Sequence, residues 1–259
     1  MPSTATTALL AGLADGSVRV VDLTQPLSER TPVLVLPEPF ANTPPLSRRT
    51  LSHFDDAGPA WAWDVLELGE HTGTHFDAPI HWISGQDGED VASVPPSRLV
   101  APAVVIDRTA EVAADPGYLL TVADIEGFEA EHGTIAAGSW VLFRTGWGAR
   151  ADDADAFLNA GPDGPLTPGP DVDAARWLAT ERDLAGFGVE TVGTDAGAAG
   201  GFDPPFPAHQ YLLGNGRYGI TQLANLDELP PTGAVIVVAP LKLVRGTGSP
   251  ARVLALVAA

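Results

Sequence analysis

The chain has 259 residues, of which 45% are hydrophobic and 18% charged, with a formal net charge of -19 and no cysteine. Such a chain is long enough to bury one large core and too apolar to stay disordered. Its acidity repels phosphate backbones and argues against a nucleic-acid partner, and the lack of thiols excludes disulfides, thiolate nucleophiles and zinc–thiolate centres.

Met1 to Leu13 lacks a basic region followed by an apolar stretch and a cleavage site, so a cytoplasmic protein is expected. Residues 18–23, VRVVDL, alternate and are β-branched, which predicts a strand. Thr24 to Pro45 is proline-rich and predicted irregular. Trp61 to Leu68 reads as a strand leading into a cluster of histidines, and Ala103 to Asp107 as a short buried strand. Thr121 is a predicted N-cap with Asp124 at the capping-box distance, opening a helix that stops at Gly133. His132 falls in its last turn, where a cation suits the helix dipole. Trp140 to Arg144 is another buried strand, residues 150–170 a surface excursion, and Asp171 to Thr180 a helix. Phe187 to Thr194, Ala234 to Ala239 and Val253 to Val257 read as later strands. The longest apolar run, Ala234 to Pro240, is far below the ~20 residues that cross a bilayer, so no membrane partner is expected. Lys242 is the sole lysine and no phosphate-binding Gly-Lys loop is present, which argues against nucleotide and Schiff-base chemistry. Together the elements predict one α/β domain over residues 1–259 with a mixed sheet.

Residues 70–82 read EHTGTHFDAPIHW, so three of the six histidines and an aspartate fall within eleven positions. Imidazole nitrogen and carboxylate oxygen are the usual donors to zinc, manganese or iron. His71, His75, Asp77 and His81 all have odd numbers, and on an extended chain they would share a face. His75 and Asp77 would then stand ~6.6 Å apart along the strand, but His71 and His81 ~33 Å apart. One shared ion therefore requires the segment to bend, and Gly73 and Pro79 are placed to allow it. Histidines without an ion are the plainer alternative, which four donor-type residues in so short a span make hard to sustain.

HTGTHFDAPIH resembles the motif His-x-Gly-Thr-His-x-Asp-x-Pro-x-His of the cyclase-like metal hydrolases, the family of bacterial kynurenine formamidase and isatin hydrolase. Residues 20–33, 188–213 and 225–229 are similar to further segments of that family, so most of the chain is covered. The resemblance implies a swivelling β/β/α architecture and a first metal on His71, His75 and Asp77. It also implies a homo-oligomer, a dimer in the simplest case. In the formamidase branch a second metal uses the aspartate, the last motif histidine, a later histidine and a glutamate. The matching positions here are Asp77, His81, His209 and Thr221, so the glutamate is missing. Without that carboxylate a second divalent ion binds weakly. One ion per chain is expected, manganese by preference and zinc as the alternative, with His81 and His209 free for proton transfer. The departure favours the isatin hydrolase branch.

The expected reaction is hydrolysis of a cyclic or aryl amide, isatin to isatinate by preference, through water activated by the ion. Trp61, Trp63 and Trp82 near the motif, with Phe40, Phe206 and the neutral donor Gln222, are the candidate substrate contacts. His53 is expected at the surface, and Asp195 and Asp203 in turn or capping roles, with catalytic carboxylates as the alternative. Rival readings are N-formylkynurenine hydrolysis, hydrolysis of another lactam, imide or lactone, and metal-dependent ligand binding without turnover.

Overall fold

The apolar runs pair into one large sheet in the computed structural model, which describes residues 4–162 and 164–259. In chain order the elements are α1 (Thr4–Asp15), β1 (Val18–Asp22), β2 (Ser47–Asp55), β3 (Gly58–Glu67), β4 (His75–Asp77), α2 (Pro96–Leu99), β5 (Val100–Asp107), α3 (Thr109–Ala114), β6 (Leu119–Leu120), α4 (Val122–His132), β7 (Trp140–Arg144), α5 (Ala154–Leu158), β8 (Ala160–Gly161), β9 (Gly164–Pro165), β10 (Gly169–Pro170), α6 (Val172–Thr180), β11 (Gly186–Val189), β12 (Tyr218–Thr221), β13 (Ala234–Pro240) and β14 (Gly248–Ala258). The main sheet runs β1-β14-β13-β5-β7-β11-β12-β4, and β4 also pairs with β14. The sheet therefore closes on itself like a barrel and leaves β1 at its rim. The pairs β5–β7, β7–β11 and β11–β12 are parallel, and β13 and β14 join antiparallel, which gives the mixed α/β arrangement expected.

Strand β7 shows why the sheet holds. Its run WVLFR is apolar on both faces, as suits a strand covered on both sides. Trp140 and Leu142 pack inside with Phe76, Tyr218, Ile220 and Val253. Val141 and Phe143 face outward against Ile125 and Phe128 of α4 and Leu178 of α6. Helix α4 starts as predicted: the Thr121 side chain accepts from Asp124 N, and the Asp124 carboxylate accepts from Thr121 N. It ends at His132, with Gly133 at φ 90°. Among the described residues no helix is long and apolar enough to cross a membrane.

Four features depart from the expectations. Helix α1 lacks an apolar stripe and buries only Gly12, so no periodicity announces it. Strand β2 forms a two-stranded ribbon with β3, and nearly every residue of both is exposed, so alternation gives no signal there. The surface excursion at 150–170 contains α5, capped by Asp153, and the strand expected to reach Thr194 stops at Val189.

Replacing Phe76, fully buried against Tyr218 and Trp140, with Ala is expected to cost about 3–5 kcal/mol in urea unfolding. Thr121→Ala, which removes one cap, is expected to cost about 1 kcal/mol. A larger loss for the cap than for the core ring would contradict the barrel interior as the main source of stability.

Candidate metal centre

The histidine motif bends where its glycine and proline stand. Gly73 adopts φ +64°, and its carbonyl accepts from His75 Nδ1 at 2.8 Å. The chain then runs extended for three residues as β4, and Pro79 opens a tight turn that ends at His81. The fold thus brings together rings that a straight strand would hold far apart: His71 and His81 stack with centroids 3.9 Å apart. Within β4 the alternation sends Phe76 into the core and leaves His75 and Asp77 on the opposite face. Asp77 stands between Gly219 of β12 and Gly248 of β14. A Cβ at Gly219 would lie 2.8 Å from Asp77 Oδ2, and one at Gly248 2.4 Å from His71 Cε1. Only glycine leaves room on both flanks.

Asp77 Oδ1 lies 2.8 Å from His71 Nδ1 and 3.3 Å from His75 Nε2. Asp77 is 1% exposed. Burial acts to raise its carboxyl pKa, but the adjacent His75 and His71 outweigh that and hold it well below the usual carboxylate range. Donor atoms of His71, Asp77 and His81 all lie within 4.8 Å of one another. The converging group thus holds His71 and Asp77 as expected but has His81 in place of His75, whose Nε2 stays 3.3 Å from Asp77 Oδ1. Imidazoles, one ionised carboxylate and no thiolate fit a divalent cation such as manganese or zinc. Thr221, where the formamidase pattern has a carboxylate, is fully buried with Oγ1 2.9 Å from His75 Nδ1. It contacts a ligand candidate and brings no charge.

Burial above all pushes His81 down to about 3; the surrounding imidazoles add to this against the pull of Asp77. His81 is therefore neutral at pH 7. His209 is shifted the other way. Its burial favours the neutral ring, but the Asp195 carboxylate, with Oδ2 2.5 Å from His209 Nδ1, outweighs this and raises its pKa. Asp195 also accepts from Ala208 N at 2.7 Å and His209 N at 3.2 Å, capping a π-helical turn at His209–Leu213. The capping role expected of Asp195 is there, and with it a second role the sequence reading missed: no local motif links residues fourteen positions apart. Trp82 lies 4.7 Å from His209 and 5.7 Å from Phe206, ring centroid to ring centroid. Trp82, Phe206 and His209 form one aromatic wall next to His81.

Other candidates lie elsewhere. Trp61 and Trp63 pack edge to face on the β2–β3 ribbon, 47% and 58% exposed, with no ring contact to the cluster. Phe40 is 62% exposed in the preceding loop. His53 sits exposed on the ribbon against Phe54, as expected for a surface residue, and Asp203 is in a turn. Gln222 is buried at φ +54°, and its side chain lines a small separate cavity with Gln25, Ser28, Arg30 and Thr31.

Comparison with known proteins agrees with this geometry. Residues 21–196 match the Cyclase family model, described as "Putative cyclase". The isatin hydrolase of Roseibium aggregatum is 52% identical over 250 residues, covering 95% of each chain. The kynurenine formamidase of Salinibacter ruber is 32% identical over 191 residues, covering 72% of this chain and 76% of the relative. A crystal structure of an isatin hydrolase bound to the product analogue thioisatinate superposes with TM-score 0.97 at 50% identity, covering 100% of both chains. With a family match over more than half its length and a relative this similar from end to end, the chain belongs to the cyclase family.

Proposed function

We propose that the protein is a metal-dependent hydrolase that opens the five-membered lactam of isatin to isatinate. The observation that carries this reading is an ionised, buried Asp77 between two imidazoles beside an aromatic wall, in a chain 52% identical to an isatin hydrolase. His71, His75 and Asp77 would hold the ion, which supplies charge to polarise the carbonyl and to lower the pKa of water. The thiolate-free set of two imidazole nitrogens and one carboxylate, with oxygen from water to complete it, supports manganese, with zinc as the alternative, and the uncharged Thr221 supports one ion per chain.

The protein's own groups divide the proton work. His81, kept neutral by burial, offers a free ring nitrogen to the attacking water, and the lowering of that water's pKa by a bound ion would have to offset so weak a base. As the water oxygen bonds to the lactam carbon, the C–N bond breaks and the departing nitrogen needs a proton. His209, kept protonated by Asp195, supplies it. The acid formed loses the second water proton to solvent, and passage of the proton from His81 to His209 resets both rings, leaving a carboxylate and a free aryl amine. Trp82 and Phe206 offer flat faces to the bicyclic ring.

The β2–β3 ribbon exposes Leu51, Phe54, Trp61, Trp63, Val65 and Leu66. A two-stranded ribbon with no buried face is marginal alone, which supports a homodimer in which the ribbon is covered and its aromatics, with Phe40, lie against a substrate site. Gln222 turns its side chain to another cavity and is not a substrate contact in this reading.

The relative from Salinibacter ruber supports N-formylkynurenine as the second substrate reading. On one manganese-loaded sample, isatin is expected to turn over faster than N-formylkynurenine, with one equivalent of metal per chain by elemental analysis. His75→Ala is expected to lose metal and turnover together. Faster formamide cleavage, or full activity in metal-free His75→Ala, would overturn the assignment.

The pH dependence has a fixed sign. His209 must be protonated to donate, so kcat declines as pH rises through its raised pKa. Asp195→Asn removes the negative charge that holds this proton while burial remains, so the alkaline limb is expected to move to lower pH with KM little changed. His209→Ala is expected to lower kcat by about 100-fold or more. An unmoved limb in Asp195→Asn would remove His209 from the proton path.

Light scattering is expected to give twice the monomer mass for the wild type and the monomer mass for a Trp61→Ser, Trp63→Ser double variant. A monomeric wild type would sink the ribbon's role.

A further inference from the structure

We infer that Thr247 and Glu70 form a relay that fixes the tautomer of His71, presents its Nδ1 to the ion, and sets how tightly the ion is held. The inference rests on the reading of His71 as a metal ligand and adds two residues to it.

The geometry allows one assignment of hydrogens along the chain of contacts. Thr247 Oγ1 lies 2.5 Å from Glu70 Oε2 and 2.9 Å from His71 Nε2. A hydroxyl has one hydrogen, and a carboxylate only accepts. The Thr247 hydrogen therefore goes to Glu70, and the hydroxyl oxygen can serve His71 only as an acceptor. His71 then carries hydrogen on Nε2, so Nδ1 is the nitrogen left for an ion, in place of a proton that Nδ1 and Asp77 Oδ1 share across 2.8 Å.

His75 is oriented by different means. Its Nδ1 donates to the Gly73 carbonyl at 2.8 Å, which leaves Nε2 turned to Asp77 at 3.3 Å. The two imidazoles thus offer opposite nitrogens, δ from His71 and ε from His75. His75 is held by the main chain of its own turn, whereas His71 depends on the side chain of Thr247 from a distant segment, backed by its own neighbour Glu70.

The relay is anchored at both ends. Glu70 Oε2 also accepts from Thr247 N at 3.0 Å, and the Thr247 carbonyl accepts from Ala78 N at 2.9 Å. The segment around Thr247 is therefore tied to both sides of the histidine motif. Gly246 and Gly248 flank it, and the close approach of Gly248 to the His71 ring leaves that ring little freedom to turn. Ligating histidines that donate their second N–H to a carboxylate or carbonyl are better oriented and more basic, and loss of that partner costs about 10–100-fold in metal affinity. Here a hydroxyl is interposed, so the charge of Glu70 reaches His71 through one hydrogen bond more.

The test is manganese binding to metal-stripped protein, read by calorimetry without substrate. Thr247→Val keeps the shape and removes the hydroxyl, and is expected to raise the dissociation constant about 10–100-fold. Thr247→Ser restores the hydroxyl and is expected to bind close to wild type. Glu70→Gln keeps an acceptor without the charge and is expected to fall between them. In zinc-loaded protein with 15N-labelled histidine, His71 is expected to be protonated on Nε2 in the wild type. Equal melting temperatures of the metal-free wild type and Thr247→Val would exclude a folding effect. Should Thr247→Val fail to fold, the Ser and Gln variants still decide the matter. Wild-type affinity in both Thr247→Val and Glu70→Gln, or His71 protonated on Nδ1, would overturn the relay. A wild type that takes up no ion would instead overturn the metal reading beneath it.

Discussion

Asp77 carries a charge inside the wall of a closed sheet, and the local structure is arranged around that charge. An isolated carboxylate at 1% exposure would be driven to its neutral form. Two imidazoles within 3.3 Å keep it ionised. Both arrive because the motif turns sharply at Gly73 and again at Pro79. The three-residue strand β4 closes the barrel between β12 and β14, and the glycine on either side of Asp77 is what permits side chains as large as imidazole beside it. Barrel closure and assembly of the donor set are therefore one event. Any change that removes a partner from this carboxylate leaves a buried charge unpaired, which costs far more than a surface contact.

The same surroundings divide two otherwise equivalent histidines. His81 and His209 lie with ring centroids 5.5 Å apart. One is pushed down by burial among other imidazoles, and the other is raised by a carboxylate of its own. Neighbouring titratable groups whose pKa values are driven apart are what a reaction needs when it takes a proton at one point and returns one at another. The division comes from Asp195 and from depth of burial, since the residue type is the same in both.

How much of this the sequence disclosed follows from distance along the chain. The donor cluster was legible because its members lie within eleven residues and because a glycine and a proline mark the bends. The capping box of α4 was legible for the same reason. The pairing of Asp195 with His209 was not, because no local motif links residues fourteen positions apart, nor that of Glu70 with Thr247, whose segments meet only in the folded sheet. Helix α1 and strand β2 bury too little to leave a periodic trace. Trp61 and Trp63 were conspicuous by proximity in sequence to the motif, yet β3 carries them out onto an exposed ribbon. Aromatic content indicates a capacity for contact and says little about which surface will receive it.

Gln222 shows how a residue can matter to a site through its backbone. It holds φ +54°, as Phe206 holds +53°, and non-glycine residues stay in that region only where the surroundings fix them. The surroundings of Gln222 are explicit. Its N–H donates to the Thr191 carbonyl at 2.9 Å, and its carbonyl accepts from Thr74 Oγ1 at 2.6 Å. Thr74 Oγ1 in turn accepts from Gln25 N at 2.9 Å. Thr74 immediately precedes His75, so the strained peptide at the end of β12 holds the histidine motif in register with the sheet. Phe206 is fixed similarly, with its N–H on the Ala199 carbonyl at 3.0 Å, three residues before His209. The two strained residues flank the donor cluster from separate segments, one tied to the residue before His75 and one three residues before His209. Backbone strain at those two points is the physical counterpart of a site whose side chains need fixed positions before any ligand arrives.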